Sequence, residues 1–169
     1  INLLLALSSI TLVPFFLVST TSFLRTVIVL SMLRTSIGTQ QSPPNIIIVS
    51  LALFLTIFVM TPTLNEVNET AIKPYKDGKI TQKQAMEMGI KPFKSFMLKL
   101  TRDKDLALFL EFSHLKEVKD YENVPIFVLI PAFVISELKT AFQIAFLLFI
   151  PFIVIDLIVA NILLSLGMF

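Results

Sequence analysis

The stretch from Pro131 to Asn161, PAFVISELKTAFQIAFLLFIPFIVIDLIVAN, is an apolar run that nevertheless contains Glu137, Lys139 and Asp156. A helix facing only lipid does not carry such residues, because a charge at mid-bilayer depth costs roughly 2.5–3.5 kcal/mol on insertion scales. Glu137 and Lys139 are two positions apart. That is about 200° around a helix, so they cannot pair with each other, which needs a spacing of three or four. Asp156 lies 19 residues after Glu137, about 100° further round an unbroken helix. The charges are therefore spread around the circumference. Such a helix is built to sit among other helices, and the expected partners are copies of the chain or sister subunits.

Of the 169 residues, 55 % are hydrophobic and only 15 % charged, against about 25 % charged in an ordinary soluble domain. The net charge of +2, with no basic stripe, argues against nucleic-acid binding. With no cysteine there is no disulfide framework, thiol nucleophile or thiolate metal site. The charges also divide the chain: residues 1–65 hold only Arg25 and Arg34, residues 66–122 hold 21, and residues 123–169 hold three. The expectation is an all-α, integral-membrane-type protein of long kinked apolar helices in hairpins. Its parts are an N-terminal hydrophobic block (1–65), a charged insert of short helices (66–122) and a C-terminal hydrophobic block (123–169). Because the chain begins at Ile1 and starts and stops inside apolar runs, a removed leader and further chain after Phe169 are also expected.

Local signals refine this outline. Ile1 to Leu24 carries no charge and is long enough to cross a hydrocarbon core of about 30 Å, with Pro14 expected to kink it or end a first helix near Val13. Arg25 and Arg34, nine positions apart, fall on opposite faces, so each needs its own partner or snorkels to its own water. Gly38 suits the position just past a helix, and Pro43-Pro44 suits the first turn of the next. Ile46 to Leu64 is the cleanest span, with Pro62 marking its last turn. In the insert, Asp77-Gly78 is a turn signal without flanking strand alternation. Thr81 to Gln84 fits a capping box opening a short helix that Gly89 would stop, after which Pro92 would open another. Phe93, Phe96, Met97 and Leu100 then form an apolar stripe, either the core of a small helical hairpin or a subunit-contact face. A further helix starts near Asp103 or Asp105. The mixed charges from His114 to Glu122 read as a solvated face, Pro125 opens the last block, and Pro151 implies a kink or break.

Chemistry is missing from this pattern. There is no P-loop, GxSxG, HExxH or pair of intramembrane aspartates, so no catalytic residue is assigned and an enzyme is not expected. His114 is the only histidine, and a lone imidazole is a poor metal site; no metal or cofactor is expected.

Three stretches carry a family resemblance. RTVIVLSMLRTSIGTQQSPPN (Arg25–Asn45), FMLKLTRDKDLALF (Phe96–Phe109) and the Pro131–Asn161 segment together cover 66 residues in colinear order. They resemble the FliP family of flagellar type III export-gate proteins and their injectisome counterparts. The resemblance implies a core subunit of an export gate at the flagellar basal body in the bacterial inner membrane, with the insert on the periplasmic side. It implies a homo-oligomer, thought to be a pentamer, assembled with FliQ- and FliR-type sister subunits around a conduit for unfolded flagellar substrates. In such a gate the apolar segments are tilted hairpins largely above the membrane plane. Arg25, Glu137, Lys139 and Asp156 would be inter-subunit contacts fixing register, so Glu137→Ala would block assembly more than insertion. The family usually has a methionine run after the last glycine. Met168 and Phe169 correspond to its start and would form a flexible seal round the conduit, or else simply end a helix. The family commonly has Gly where this chain has Ala145.

Two other readings stay open on the residues alone. One is an independent ion or solute channel or transporter, with Glu137 and Asp156 as relay or coordination residues; the other is a non-conducting membrane scaffold whose insert binds a partner.

Overall fold

The computed structural model describes residue 11 and residues 13–39, 41–113 and 123–168. Every regular element among them is helical. α1 (Val13–Thr20) and α2 (Phe23–Ser36) meet at 79°. α3 (Asn45–Val67) runs into a π-helical turn (Asn68–Ile72) and the short α4 (Lys73–Lys76). α5 (Gln82–Leu100) and α6 (Asp103–Phe112) follow, and α7 (Ile126–Ser165) ends the chain. Two continuous helical stretches, Asn45–Lys76 and Ile126–Ser165, are long and apolar enough to cross a membrane, or three if the bent α1–α2 pair is one span.

The prolines behave differently from expectation. α1 is described only from Val13 on, so the reading of Pro14 falls at the edge of the described residues; a break does fall at Thr21-Ser22. There the Thr20 and Thr21 hydroxyls donate to the carbonyls of Phe16 and Leu17, and Phe23 N–H donates to the Thr21 hydroxyl. Hydroxyls that take over the ladder's partners allow the chain to turn. Pro62 does not mark the last turn of α3, which continues past it to Val67. Gly89 and Pro92 likewise sit inside one 19-residue α5 rather than between two helices. A Cβ placed on Gly89 would lie 3.6 Å from the Ala71 Cβ and 3.9 Å from a Val67 methyl. Gly89 thus lies where α5 meets the π-helical turn, with ordinary van der Waals room for a Cβ. Pro151 neither ends nor breaks α7.

Other local readings hold. The Thr81–Gln84 capping box is complete, with the Thr81 hydroxyl accepting from Gln84 N–H and the Gln84 side chain accepting from Thr81 N–H. Gly38 follows α2 with φ +81°, a left-handed conformation that favours glycine. Asp77-Gly78 makes the turn after α4, α6 begins at Asp103, and Pro125 caps α7. The run from His114 to Glu122 lies outside the described residues.

The core is the first half of α7 and what packs on it. Val128, Leu129, Ala132, Phe133, Ser136, Glu137, Ala141 and Ala145 are buried, a helical spacing that defines one face. Its alanines let neighbouring backbones approach closely. α2, α5 and α6 all pack on this helix. Of the insert's stripe, Met97 is fully buried in this core and Phe96 and Leu100 pack against it, with Phe96 edge-on to Phe133 at 6.1 Å; Phe93 is half-buried. After Ala145 no described residue of α7 is buried.

Candidate functional site

Arg25, Glu137 and Lys139 belong to two bonded groups, and Asp156 stands apart from both. α2 lies along α7, which brings Arg25 to Glu137. Arg25 donates from Nε to one carboxylate oxygen at 2.9 Å and from Nη2 to the other. This two-pronged geometry is what a guanidinium fork offers a carboxylate. The Glu137 side chain is wholly buried, while Arg25 keeps 26 % exposure. A buried carboxylate without such a partner would be prohibitively unfavourable, so the pair fixes how α2 sits on α7.

The second group ties the N-terminus of α6 to the next turn of α7. The buried Asp105 accepts from the Ser136 hydroxyl at 2.8 Å and from Lys139 Nζ. Arg102 closes the cluster: its backbone N–H donates to the Ser136 hydroxyl at 3.0 Å, and its guanidinium donates to Thr140 Oγ1 at 3.2 Å and to Gln143 Oε1. Burial works to raise the Asp105 pKa, but the hydrogen bonds from Lys139 and Ser136, with the charges of Lys139 and Arg102, outweigh it and hold the carboxyl below the usual range.

Glu137 and Lys139 therefore face different neighbours, as their spacing demands. Sequence reasoning sought those neighbours on sister subunits; Arg25, Glu137 and Lys139 find partners within the chain. Arg34, opposite Arg25, bonds the Pro43 carbonyl and Asn45 Oδ1 across the α2–α3 turn. Asp105 and Ser136 went unrecognised from sequence. Asp105 looked like a helix start, and the only hint was a serine beside a glutamate in an apolar run.

Asp156 is the exception. It is exposed, and no cation or hydrogen-bond donor among the described residues reaches it. Around it the second half of α7 presents Ile153, Ile155, Leu157, Ile158 and Val159 uncovered. At 40 residues α7 is about 60 Å long, twice a hydrocarbon core, so both halves cannot lie in lipid along the bilayer normal. The helix closes with Gly167 at φ +70°, whose N–H bonds Leu164 O while Met168 N–H reaches back to Leu163 O. This crossed pair satisfies the terminal carbonyls and projects Met168 outward, 62 % exposed. Phe169 lies outside the described residues. Among the described residues no three His, Cys, Asp or Glu side chains gather as metal ligands.

Known proteins share this sequence along its length. A profile of the FliP family matches residues 6–169. "Flagellar biosynthetic protein FliP" of Bacillus subtilis (strain 168) is 48 % identical over 168 residues, 99 % of this chain and 76 % of that protein. The protein of the same name from Pectobacterium carotovorum subsp. carotovorum is 49 % identical over 99 % of this chain and 65 % of its own length. That of Buchnera aphidicola subsp. Acyrthosiphon pisum (strain APS) is 45 % identical over 99 % of this chain, which spans 44 % of its length. The chain belongs to the FliP family.

Proposed function

We propose that this chain is a core pore-forming subunit of the flagellar type III protein export gate, conducting unfolded flagellar proteins across the inner membrane. One observation carries the reading beyond family membership: the second half of α7 is bare, apolar and studded with the unpartnered Asp156. The first half has its charges paired within the chain. The second half needs a partner that offers both an apolar surface and a positive or hydrogen-donating group, which lipid tails do not. Copies of the chain, as a pentamer, and FliQ- and FliR-type sisters supply it. In that assembly Asp156 is the principal inter-subunit contact. The exposed Met168, with Phe169, lies at the constriction, where a soft side chain yields to a passing polypeptide. The insert faces the periplasm.

The test is native mass measurement on the full-length protein co-expressed with FliQ- and FliR-type subunits. A large hetero-oligomer with several copies of this chain supports the gate. A monomer or dimer that conducts ions by itself counts against it.

A further inference from the structure

The junction of α1 and α2 turns through 79° at Thr21-Ser22. Neither glycine nor proline stands anywhere from Phe15 to Ile37, so neither of the usual backbone causes of a sharp kink is present. One side chain holds the bend. The Thr21 hydroxyl accepts from Phe23 N–H at 3.2 Å while it donates to the Leu17 carbonyl. In an unbroken helix Phe23 N–H would bond the Ser19 carbonyl instead. The next residue works against the bend. Ser22 is 5 % exposed, and its hydroxyl is buried without a hydrogen-bond partner. Thr20, Thr21 and Thr26 each donate to the carbonyl four residues back. In a continuous helix Ser22 would do the same to Val18. Its backbone, at φ −72° and ψ 2°, departs from helical geometry mainly in ψ. Two adjacent hydroxyls thus favour opposite arrangements of one joint. On the far side of that joint residues 13–16 are all exposed, and the Phe15 ring meets that of Phe16 edge-on at 5.9 Å.

We infer that Thr21-Ser22 is a two-state hinge. In one state α1 is bent and latched by the Thr21 hydroxyl; in the other α1 and α2 form one helix, and Ser22 donates to the Val18 carbonyl. Two discrete hydrogen-bonded arrangements are what lets a short joint absorb a large change of direction. The swing re-aims Val13, Phe15 and Phe16, while Arg25, beyond the joint, stays on Glu137. The apolar end of α1 can therefore meet a different surface without disturbing the packing of α2 on α7. The hinge stands or falls apart from the conduit.

The chain has no cysteine, so Val13→Cys with Ile37→Cys places two nitroxide labels at exposed positions on either side of the joint. Double electron–electron resonance on the detergent-solubilised protein, diluted with unlabelled protein, reads their separation. At 1.5 Å per residue the backbone separation is about 36 Å in one continuous helix and roughly 27 Å at the bend. Thr21→Val keeps the shape and removes the latch, and should raise the ratio of long to short distances by about two- to tenfold. Ser22→Ala removes a hydrogen bond that only the continuous helix makes, and should lower the ratio by about the same factor. Thr21→Ser keeps the acceptor and should match the parent. Circular dichroism establishes that each variant is folded, and Thr21→Ala reads the same loss where valine disturbs the packing. One distance that neither the folded Thr21 variant nor Ser22→Ala moves would make the joint a fixed corner and overturn the hinge. So would a shift in the same direction by both, or a Thr21→Ser protein that behaves like Thr21→Val.

Discussion

Arg25 and Glu137, 112 positions apart in the chain, form a two-pronged ion pair whose carboxylate is wholly buried between α2 and α7. The apolar contacts between these helices are not directional, so by themselves they would leave the register weakly determined. The pair supplies a specific contact, because sliding either helix by one residue strands a charge.

Glu137→Ala should therefore destabilise the chain by itself, before any assembly. Removing one partner of a buried pair costs roughly 3–5 kcal/mol, and the lower end is expected here because Arg25 retains some exposure to solvent. Replacing both residues together, Arg25→Met with Glu137→Met, should be milder than either single change. Thermal unfolding of the detergent-solubilised protein measures both. A Glu137→Ala chain as stable as the parent, yet unable to join an oligomer, would instead make the residue an inter-subunit device.

Asp105→Asn should loosen α6 from α7 by about 1–2 kcal/mol at neutral pH, a modest figure because Lys139 is half exposed. The pH dependence has a definite sign. The folded pKa lies below the unfolded value of about 3.9, so the stabilisation is fully present above that value and is lost as pH falls through the folded one. Unfolding temperatures of parent and variant should run parallel from neutral pH down to about 5 and converge only in stronger acid. Convergence near pH 6 would mean that another group is responsible.

Much of the architecture was legible because the signals were local. The capping box at Thr81, the glycine after α2 and the turn at Asp77-Gly78 each follow from a few adjacent residues. The prolines and Gly89 read differently from expectation, because a proline or glycine in an apolar or amphipathic run does not by itself end the helix. Pro62, Pro92 and Pro151 lie within helices, and Gly89 lies inside α5 beside Ala71. At the candidate site, helical geometry correctly separated Glu137 from Lys139, but could not name their partners. Arg25 and Asp105 are distant in sequence, and only the packing of α2 and α6 on α7 brings them in.

Gly89 yields a prediction with opposite signs for two substitutions. A Cβ there meets Ala71 and Val67 at ordinary van der Waals distance, so Gly89→Ala should fit and stabilise by about 0.5–1 kcal/mol through helix propensity. Gly89→Leu should push α5 off the π-helical turn and destabilise by roughly 1–3 kcal/mol. Thermal unfolding of the two variants, compared with the parent, reads the difference. A stabilised leucine variant would show that the corner is looser than its geometry indicates.

Asp156 should separate folding from assembly. Exposed and without a partner among the described residues, it has no part in the packing of α7 on α2 and α6 described above. Asp156→Leu should therefore leave the unfolding temperature of the isolated protein unchanged or raised, since an apolar residue replaces a charge in an apolar stretch. Its cost should appear only when the chain meets its partners, as loss of the hetero-oligomer in native mass measurement and of flagellar protein secretion in cells. Asp156→Asn should retain part of both if a hydrogen bond carries the contact, and neither if the contact is a charge pair. Glu137→Ala and Asp156→Leu would then fail at different stages, the first as an unstable chain and the second as a sound subunit that finds no neighbour. An Asp156→Leu protein that assembles and secretes normally would remove the carboxylate from the interface and leave α7 to be covered by apolar contact alone.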